Sequence, residues 1–552
     1  MKEKVSNRLT NLWRGQLLIM QCALCIVAAA LLGACSEWTD HYDGADSAEG
    51  GNLTLWQQMK GNPQLSDFCQ VLEQTKVFRM HKKTPVSYAD LLDGGQSFTI
   101  VAPVNGSFDK DSLLRLVQTA QGDSVVERFF VFNHLARSLN SVGAEPKSMF
   151  LLNKKHVSMG DGTIEGVRLT APNIHAKNGV LHIAERPLPY LRNLYETVCD
   201  LPEFSGIGVN LRQYEEDEFD ADRSVSSGII EGVPVYVDSV VTEYNRLLQS
   251  IGYIDSEDSL YWMVAPTAAG WKKAWDEAAS CFQFDEKVLK RDSIQRYWTN
   301  RALLDDAIFN TTDQRTFTDS LVSVQYRLHR GSQVSGKPVY HVFHRPFGEG
   351  GILKDAERVE CSNGVLFKTQ EWPFSPEQTY LRPLWSEAEQ AQLILNNKDC
   401  SYNTRRLASD SISEGAYLQI MPDKATSNWE VTFRVNNTLS TAYDICAVVL
   451  PKTINDVSNA DLRPCKFKAT VYYVDVDGTE KSFNCDNVQF KNDPERVDTI
   501  VLAENFQLPT CNYQQNDIKF SIRLLCSITA RETASYSREM YLDCIYLRPR
   551  RN

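Results

Sequence analysis

Residues 98–108 read FTIVAPVNGSF, and residues 178–188 read NGVLHIAERPL. The first is an apolar run of strand length closed by Pro103 and followed by an Asn105-Gly106 turn signal. In the second, Asn178-Gly179 is a turn that opens a strand, and Pro187 closes it. Upstream, Leu65, Phe68, Cys69 and Leu72 fall at i, i+3, i+4 and i+7, which puts them on one helix face. Between the two segments, SLLRLVQTA (112–120) and VVERFFVFNHLA (125–136) carry helical spacing. Short strands are expected around VRLTAPN (167–173). Helices and strands thus mix within one block, residues 53–190, which predicts an α+β domain.

The pattern recurs. YWMVAPTAAGW (261–271) repeats FTIVAPVNGSF, NGVLFKTQEW (363–372) repeats NGVLHIAERP, and RYWTNRALL (296–304) sits where FVFNHLA sits. Self-similarity at this spacing indicates tandem domains. The second copy, residues 191–378, places Arg301 opposite His134 and carries an insertion at about 212–239, with an acidic run from Glu215 to Asp222. That run reads as a solvated acidic loop rather than a calcium site, because it lacks EF-hand spacing.

The order of these words resembles the fasciclin domain. That family has an F-T-x-F/V-A-P-x-N/D-x-A/S-F segment, a central helix ending in His, and a closing N-G-V-I/L-H-x-I/V-D-x-x-L segment. Here these are Phe98 to Phe108, His134, and Asn178 to Leu188, with Glu185 in place of the family's Asp. The resemblance implies two tandem fasciclin-like domains. It also makes His134, Asn178 and Gly179 candidates for an adhesion motif or for a core role.

From residue 379 to 552 helical spacing almost vanishes. Eight strand candidates follow one another: AYLQIMP, NWEVTFRVN, YDICAVVLP, CKFKATVYYVD, KSFNCDNVQF, DTIVLAE, IKFSIRLLCSI and MYLDCIYLRP. They predict an all-β C-terminal sandwich, a jelly roll or galactose-binding-like fold. Sugar rings stack on exposed aromatics, so Trp429, Tyr472 and Tyr473 are candidate ligand-binding residues. Tyr472 and Tyr473 are adjacent on a strand, so they point to opposite sides.

The N-terminus has its own logic. Lys2, Lys4, Arg8 and Arg14 precede an apolar run that ends in Leu32-Gly33-Ala34-Cys35. A basic start, an apolar middle and small residues at a cut site make a secretory signal, residues 1–34. The Cys resembles the bacterial lipobox, which implies a lipidated Cys35. Residues 35–52, acidic and Gly-rich, read as a flexible tether. Acidic residues just after the Cys resemble the surface-export signal of Bacteroidetes lipoproteins, which implies a palmitate-bearing outer-membrane protein at the cell surface. Asp-Ser followed by an aliphatic, as at Asp111-Ser112-Leu113, resembles the O-glycosylation sequon of the same group.

The chain has 552 residues, net charge −12 and 14 Cys. The acidic balance excludes nucleic acid as a partner. After Cys22, Cys25 and Cys35, eleven Cys remain without CxxC spacing, which favours buried thiols over a metal site. His341 and His344 lie three apart in strand-like VYHVFH, so they point apart rather than to one metal. No catalytic motif, cofactor fingerprint or metal motif is present in the sequence. The expected function is therefore non-enzymatic: a membrane-anchored binding module, an accessory to nutrient uptake recognising a glycan or an outer-membrane protein. The alternatives are a cell-adhesion protein and a glycan-active enzyme.

Overall fold

The computed structural model describes residues 51–551, apart from 80–81, 231–232, 311–318, 329–337, 460, 516 and 518. The signal at 1–34, Cys35 and nearly all of the tether lie outside the described residues. Among the described residues no helix is long and apolar enough to cross a membrane. The chain divides into two compact units, residues 1–190 and 191–552.

In the first unit a seven-stranded sheet runs in the order Leu135–Ala136, Phe98–Pro103, Gly179–Ala184, Val167–Ala176, Thr163–Ile164, His156–Gly160, Lys147–Phe150. Phe98–Pro103 and Gly179–Ala184 pair in parallel, with Phe98 opposite Gly179. Every residue of Phe98–Pro103 is buried. The reason is that both sheet faces are covered. Ile100 and Leu181 face the cluster of Phe68, Leu72 and Leu92, whereas Val101 and Ala184 face Met149, Val157 and Val167. A strand buried on both faces loses the polar alternation of a half-exposed one, which is why the sequence reads as a continuous apolar run.

Helix Ser66–Gln74 buries Phe68, Cys69, Val71 and Leu72. The helix expected over 125–136 is shorter than its periodicity suggests. Helix Ala120–Val126 gives way to a wide π-type turn at Glu127–Val131, a 3-10 turn at Phe132–His134, and the strand Leu135–Ala136. Leu135 pairs with Ile100, so the chain must leave the helix early to reach the sheet edge.

The second unit begins with a six-stranded sheet. Its order is Pro338–His344, Ser320–Leu328, Ile308–Asn310, Tyr261–Pro266, Gly364–Thr369, Glu357–Cys361. Tyr261–Pro266 and Gly364–Thr369 are parallel, with Tyr261 opposite Gly364, the same register as in the first unit. Here the helix Arg291–Leu304 is continuous for 14 residues. Met263 pairs with Ile308 as Ile100 pairs with Leu135. The residue standing where His134 stands is therefore Ala307, not Arg301 as the alignment of words suggested. Arg301 points elsewhere, forming a 2.6 Å ion pair with Asp305 on its own helix.

The insertion is not a loop. Glu215–Ile230 and Val233–Asn245 pair antiparallel as a two-stranded ribbon, and the acidic run lies at its base. Tyr195 donates to Glu215 and Tyr244 to Glu216 there.

The last block is a two-sheet sandwich. One sheet runs Cys400–Arg406, Ala416–Pro422, Met540–Arg550, Ala442–Leu450, Asp498–Gln507, with Leu384–Glu387 also on Met540–Arg550. The other runs Ile394–Lys398, Glu430–Arg434, Ser521–Cys526, Lys466–Val474, Glu480–Lys491. All eight expected strands are present. Three were not foreseen: Leu384–Glu387, Ile394–Lys398 and Cys400–Arg406. The last two are outermost strands, and nearly all of their residues are exposed or half-buried. An outer strand needs little apolar content, so it carries little apolar signal.

Eleven cysteines lie among the described residues as thiols, and all but Cys199 are buried. Burial pushes the Cys69 thiol up to about 11 and that of Cys199 to about 12, so both stay protonated at neutral pH.

Candidate functional site

The three candidates in the first unit are interior. The Asn178 side chain holds three backbone groups. Its Oδ1 accepts from Leu55 N at 2.7 Å, and its Nδ2 donates to Leu92 O at 2.9 Å and Gly94 O at 2.7 Å. Leu55 is the first residue of helix Leu55–Lys60, so the amide ties a helix start to the end of helix Tyr88–Asp93. Gly179 is required for two reasons. Its φ is +156°, and a Cβ there would lie 2.0 Å from Phe98 O. The second unit repeats the device. Asn363 accepts from Leu194 N at 2.8 Å and donates to Ile254 O and Ser256 O, and a Cβ on Gly364 would lie 1.8 Å from Tyr261 O.

His134 is buried, and the neutral Nδ1–H tautomer fits its surroundings. Nδ1 lies 2.7 Å from Phe130 O, and Nε2 accepts from Leu188 N at 3.1 Å. Burial lowers its pKa from 6.5 to about 4, opposed in part by the Phe130 carbonyl. The unfolded chain takes up this proton near pH 6.5, and the folded chain resists until about pH 4. The stabilisation is therefore complete above pH 6.5 and is lost on acidification, by about 3 kcal/mol at pH 4. Glu127 acts in the opposite sense. Burial raises it to about 7, so its contribution is lost as pH rises from 4.5. The two slopes overlap, and only a difference isolates the histidine. Relative to His134→Gln, the natural protein should lose about 3 kcal/mol in the 51–190 unit between pH 7.5 and 4. Urea titrations read by hydrogen-exchange mass spectrometry on peptides of that unit measure this. A gap that does not change with pH would refute it.

In the sandwich the three aromatic candidates separate. Trp429 is fully buried in the core, and its Nε1 donates to Arg538 O at 2.5 Å. It has no surface for a sugar, so its candidacy as a ligand-binding residue is corrected: it is a packing residue. Tyr472 is on the outer face of its sheet, with the Arg523 guanidinium over its ring at 5.6 Å. That guanidinium also donates to Thr470 Oγ1 at 3.2 Å. Tyr473 turns the other way and packs on Phe506, ring centroids 5.4 Å apart.

Phe506 leads to a groove that sequence reading missed. Strands Glu480–Lys491 and Asp498–Gln507 are the last strands of the two sheets, on the same side of the sandwich. Phe483 from the first lies 5.4 Å from Phe506 of the second. An open groove of about 560 Å³ follows, lined by Phe483, Val501, Glu504, Asn505, Phe506 and Gln507. Phe483 is 39% exposed and Val501 38%. The polar end is set by a bulge. Pairing with Ala442–Leu450 shifts between Tyr443 and Ile445, and Asn505 takes a left-handed φ of +49°. Asp444 holds the bulge by accepting from Asn505 N at 3.0 Å. Burial works against the Asp444 carboxylate, but Arg550 and Arg548 outweigh it and lower its pKa to about 2. The groove thus offers aromatic edges beside one carboxylate and two amides, a donor and acceptor set suited to hydroxyls. No spacing in KSFNCDN or ENFQLP marks these residues, because the two strands meet only when the sandwich closes.

Other histidines serve local structure. His341 is buried against Asp306, and Arg382 lies 3.2 Å from its Nδ1. His344 meets Ser320 Oγ at 2.9 Å on the exposed side. Among the described residues no group of three or more His, Cys, Asp or Glu could hold a metal ion.

No curated protein matches the chain. Among solved structures, the sandwich region is similar to the CBM22-1–GH10 modules of a Clostridium thermocellum endo-1,4-beta-D-xylanase complexed with xylohexaose. That match has 11% identity, covers 31% of this chain and 28% of the other, and has a TM-score of 0.21. A Paenibacillus xanthan lyase matches at 12% identity over 34% of this chain and 16% of the lyase, TM-score 0.21. A family 35 carbohydrate binding module from Clostridium thermocellum matches at 10% identity over 31% of this chain and 99% of the module, TM-score 0.19. The chain spans less than a third of the length of the xylanase and lyase chains. The Fasciclin domain family matches residues 63–189, so the first unit carries a fasciclin domain.

Proposed function

We propose that this protein is a non-enzymatic, lipid-anchored binding protein of the outer-membrane surface whose C-terminal sandwich binds a glycan in its edge groove. In this reading residues 1–34 are the signal and Cys35 carries the lipid. Residues 191–378 are a second, diverged fasciclin-like module. The shared Asn-Gly clamp and strand register support that kinship.

The observation that carries the glycan reading is the groove itself. Its volume of about 560 Å³ falls in the range of small-molecule sites. Phe483 leaves aromatic surface exposed that water solvates poorly, and Glu504, Asn505 and Gln507 offer acceptors and donors beside it. A sugar ring, apolar on one face and hydroxylated at its rim, matches both. A glycan array on the purified whole chain, followed by calorimetry on its hits, tests this. Phe483→Ala should weaken binding by roughly tenfold or more, as loss of a stacked ring does. An array with no hits, or an unchanged affinity in the variant, would reject the reading.

The fasciclin domain at 63–189 favours a second reading, adhesion to matrix or to other cells. Cell or matrix adhesion that survives Phe483→Ala while glycan binding is absent would favour it. Protease shaving of whole cells tests surface exposure, and mass spectrometry of the N-terminal peptide tests the lipid on Cys35.

A further inference from the structure

Strand register fixes which side chains adjoin the edge groove. In Ala442–Leu450, Tyr443, Ile445, Ala447 and Val449 belong to the core, so Asp444 and Cys446 face outward. Cys446 lies opposite Val501 on one side and Tyr546 on the other, and Tyr546 lies opposite Trp385. Val501, Cys446, Tyr546 and Trp385 therefore form one row across four strands on the outer face of this sheet. The ring contact between Trp385 and Tyr546, centroids 4.9 Å apart, agrees with that alignment. The row begins in the groove, because Val501 is part of its lining.

The row is reachable from solvent at both ends. Val501 is exposed, Tyr546 and Trp385 are half-buried, and Cys446 closes the floor between them. Polar groups flank it. On one side Arg548 stands opposite Asp444. Its Nε and Nη2 donate to Asp444 at 3.2 and 2.6 Å, which leaves Nη1 of a 56%-exposed side chain for a ligand hydroxyl. Asp444 also holds Asn505 of the groove, so the guanidinium and the groove's polar end share one anchor. On the other side Thr499 is exposed opposite Val448. An apolar strip between donors and acceptors matches the faces and rims of sugar rings. Neighbouring strands are about 4.8 Å apart, so Trp385 stands about 14 Å from Val501. A single ring cannot reach from the groove to Trp385, whereas a chain can.

We propose that the groove and this row form one continuous site for an extended, β-1,4-linked oligosaccharide of about four units. One ring packs on Phe483 in the groove, the chain crosses Val501 and Cys446, and a later ring packs on the Trp385–Tyr546 pair. Arg548 Nη1 donates to a hydroxyl between them. The row crosses the strands in one direction, which suits an extended chain rather than a coiled α-1,4-linked one. This inference rests on the glycan reading of the groove and adds to it the length and linkage of the ligand.

Calorimetry of the purified whole chain with β-1,4-linked gluco-, xylo- and manno-oligosaccharides, from monosaccharide to hexasaccharide, tests the proposal. In at least one series affinity should rise about tenfold or more from disaccharide to tetrasaccharide and then level off. Trp385→Leu keeps apolar bulk against Tyr546 and removes the ring. It should weaken the tetrasaccharide by about tenfold and the disaccharide by less than about twofold. The retained disaccharide affinity also shows that the variant is folded. Phe483→Ala should weaken every length. Disaccharide binding with no gain on lengthening, or an unchanged tetrasaccharide affinity in Trp385→Leu, would overturn the continuous site and leave the groove reading standing. An equal loss at every length in Trp385→Leu would make the tryptophan a packing residue and overturn it too. Maltotetraose binding tighter than every β-linked chain, or no binding in any series, would also overturn it, and the glycan array then decides the groove by itself.

Discussion

Asn178→Ala is expected to destabilise the 51–190 unit by about 3–5 kcal/mol. The substitution removes one acceptor and two donors, and two of the three groups they serve belong to fully buried residues. Leu55 N–H and Leu92 C=O would each be left buried without a partner, whereas Gly94 C=O belongs to an exposed residue and can turn to water. An unmet buried backbone group costs about 1–3 kcal/mol, and partial relaxation keeps the total below the simple sum. Asn178→Asp is the informative companion. It keeps the acceptor for Leu55 N and loses both donors, so it should fall between the two. Asn363→Ala makes the same prediction for the second unit, through Leu194 N, Ile254 O and Ser256 O. Hydrogen-exchange mass spectrometry in urea assigns the loss to one unit or the other. A loss under about 1 kcal/mol would mean that these bonds are replaced by water.

Trp429→Ala should cost about 3–5 kcal/mol in the sandwich, the range for emptying a buried aromatic site. The ring is fully enclosed in the core between the sheets, and its Nε1–H is bonded to Arg538 O. Trp429→Phe separates the two contributions. It keeps most of the packing and drops the hydrogen bond, so the cost falls to about 1–3 kcal/mol. Glycan affinity should be unchanged in Trp429→Phe and reduced in Phe483→Ala. A reduced affinity in a well-folded Trp429→Phe protein would restore the tryptophan as a ligand contact. Urea titration of the whole chain, with exchange read on peptides from 430–450, provides the stability figures.

The aromatics of the last block show why a residue's type is legible and its role is not. Tyr472 and Tyr473 were expected to diverge, and they do, because successive side chains on a strand point to opposite faces. Neither the guanidinium over Tyr472 nor the Phe506 ring against Tyr473 follows from strand parity. Trp429 carries the same aromatic signal as an exposed stacking residue, and burial alone separates them. Arg301 makes the same point for helices. The word RYWTNRALL aligns with FVFNHLA, yet the register of the following strand puts Ala307 at the position of His134. Helix length differed between the copies, and sequence spacing had no way to report it.

What the sequence by itself determined was the set of segments with strong local constraints. The buried strands at 98–103 and 261–266 were visible because a strand covered on both faces must be apolar throughout. The Asn-Gly pairs were visible as turns because Gly179 and Gly364 need positive φ and admit no Cβ. The eight expected strands were visible by their apolar content, and the largely exposed outer strands 394–398 and 400–406 were not. The tertiary structure alone decided which side chains meet. It turned Asn178 into a clamp on two helices and brought Phe483 to Phe506 across two sheets. It also aligned Val501, Tyr546 and Trp385 in one row across a sheet. These contacts join residues tens to hundreds of positions apart, and local periodicity holds no information about such partners.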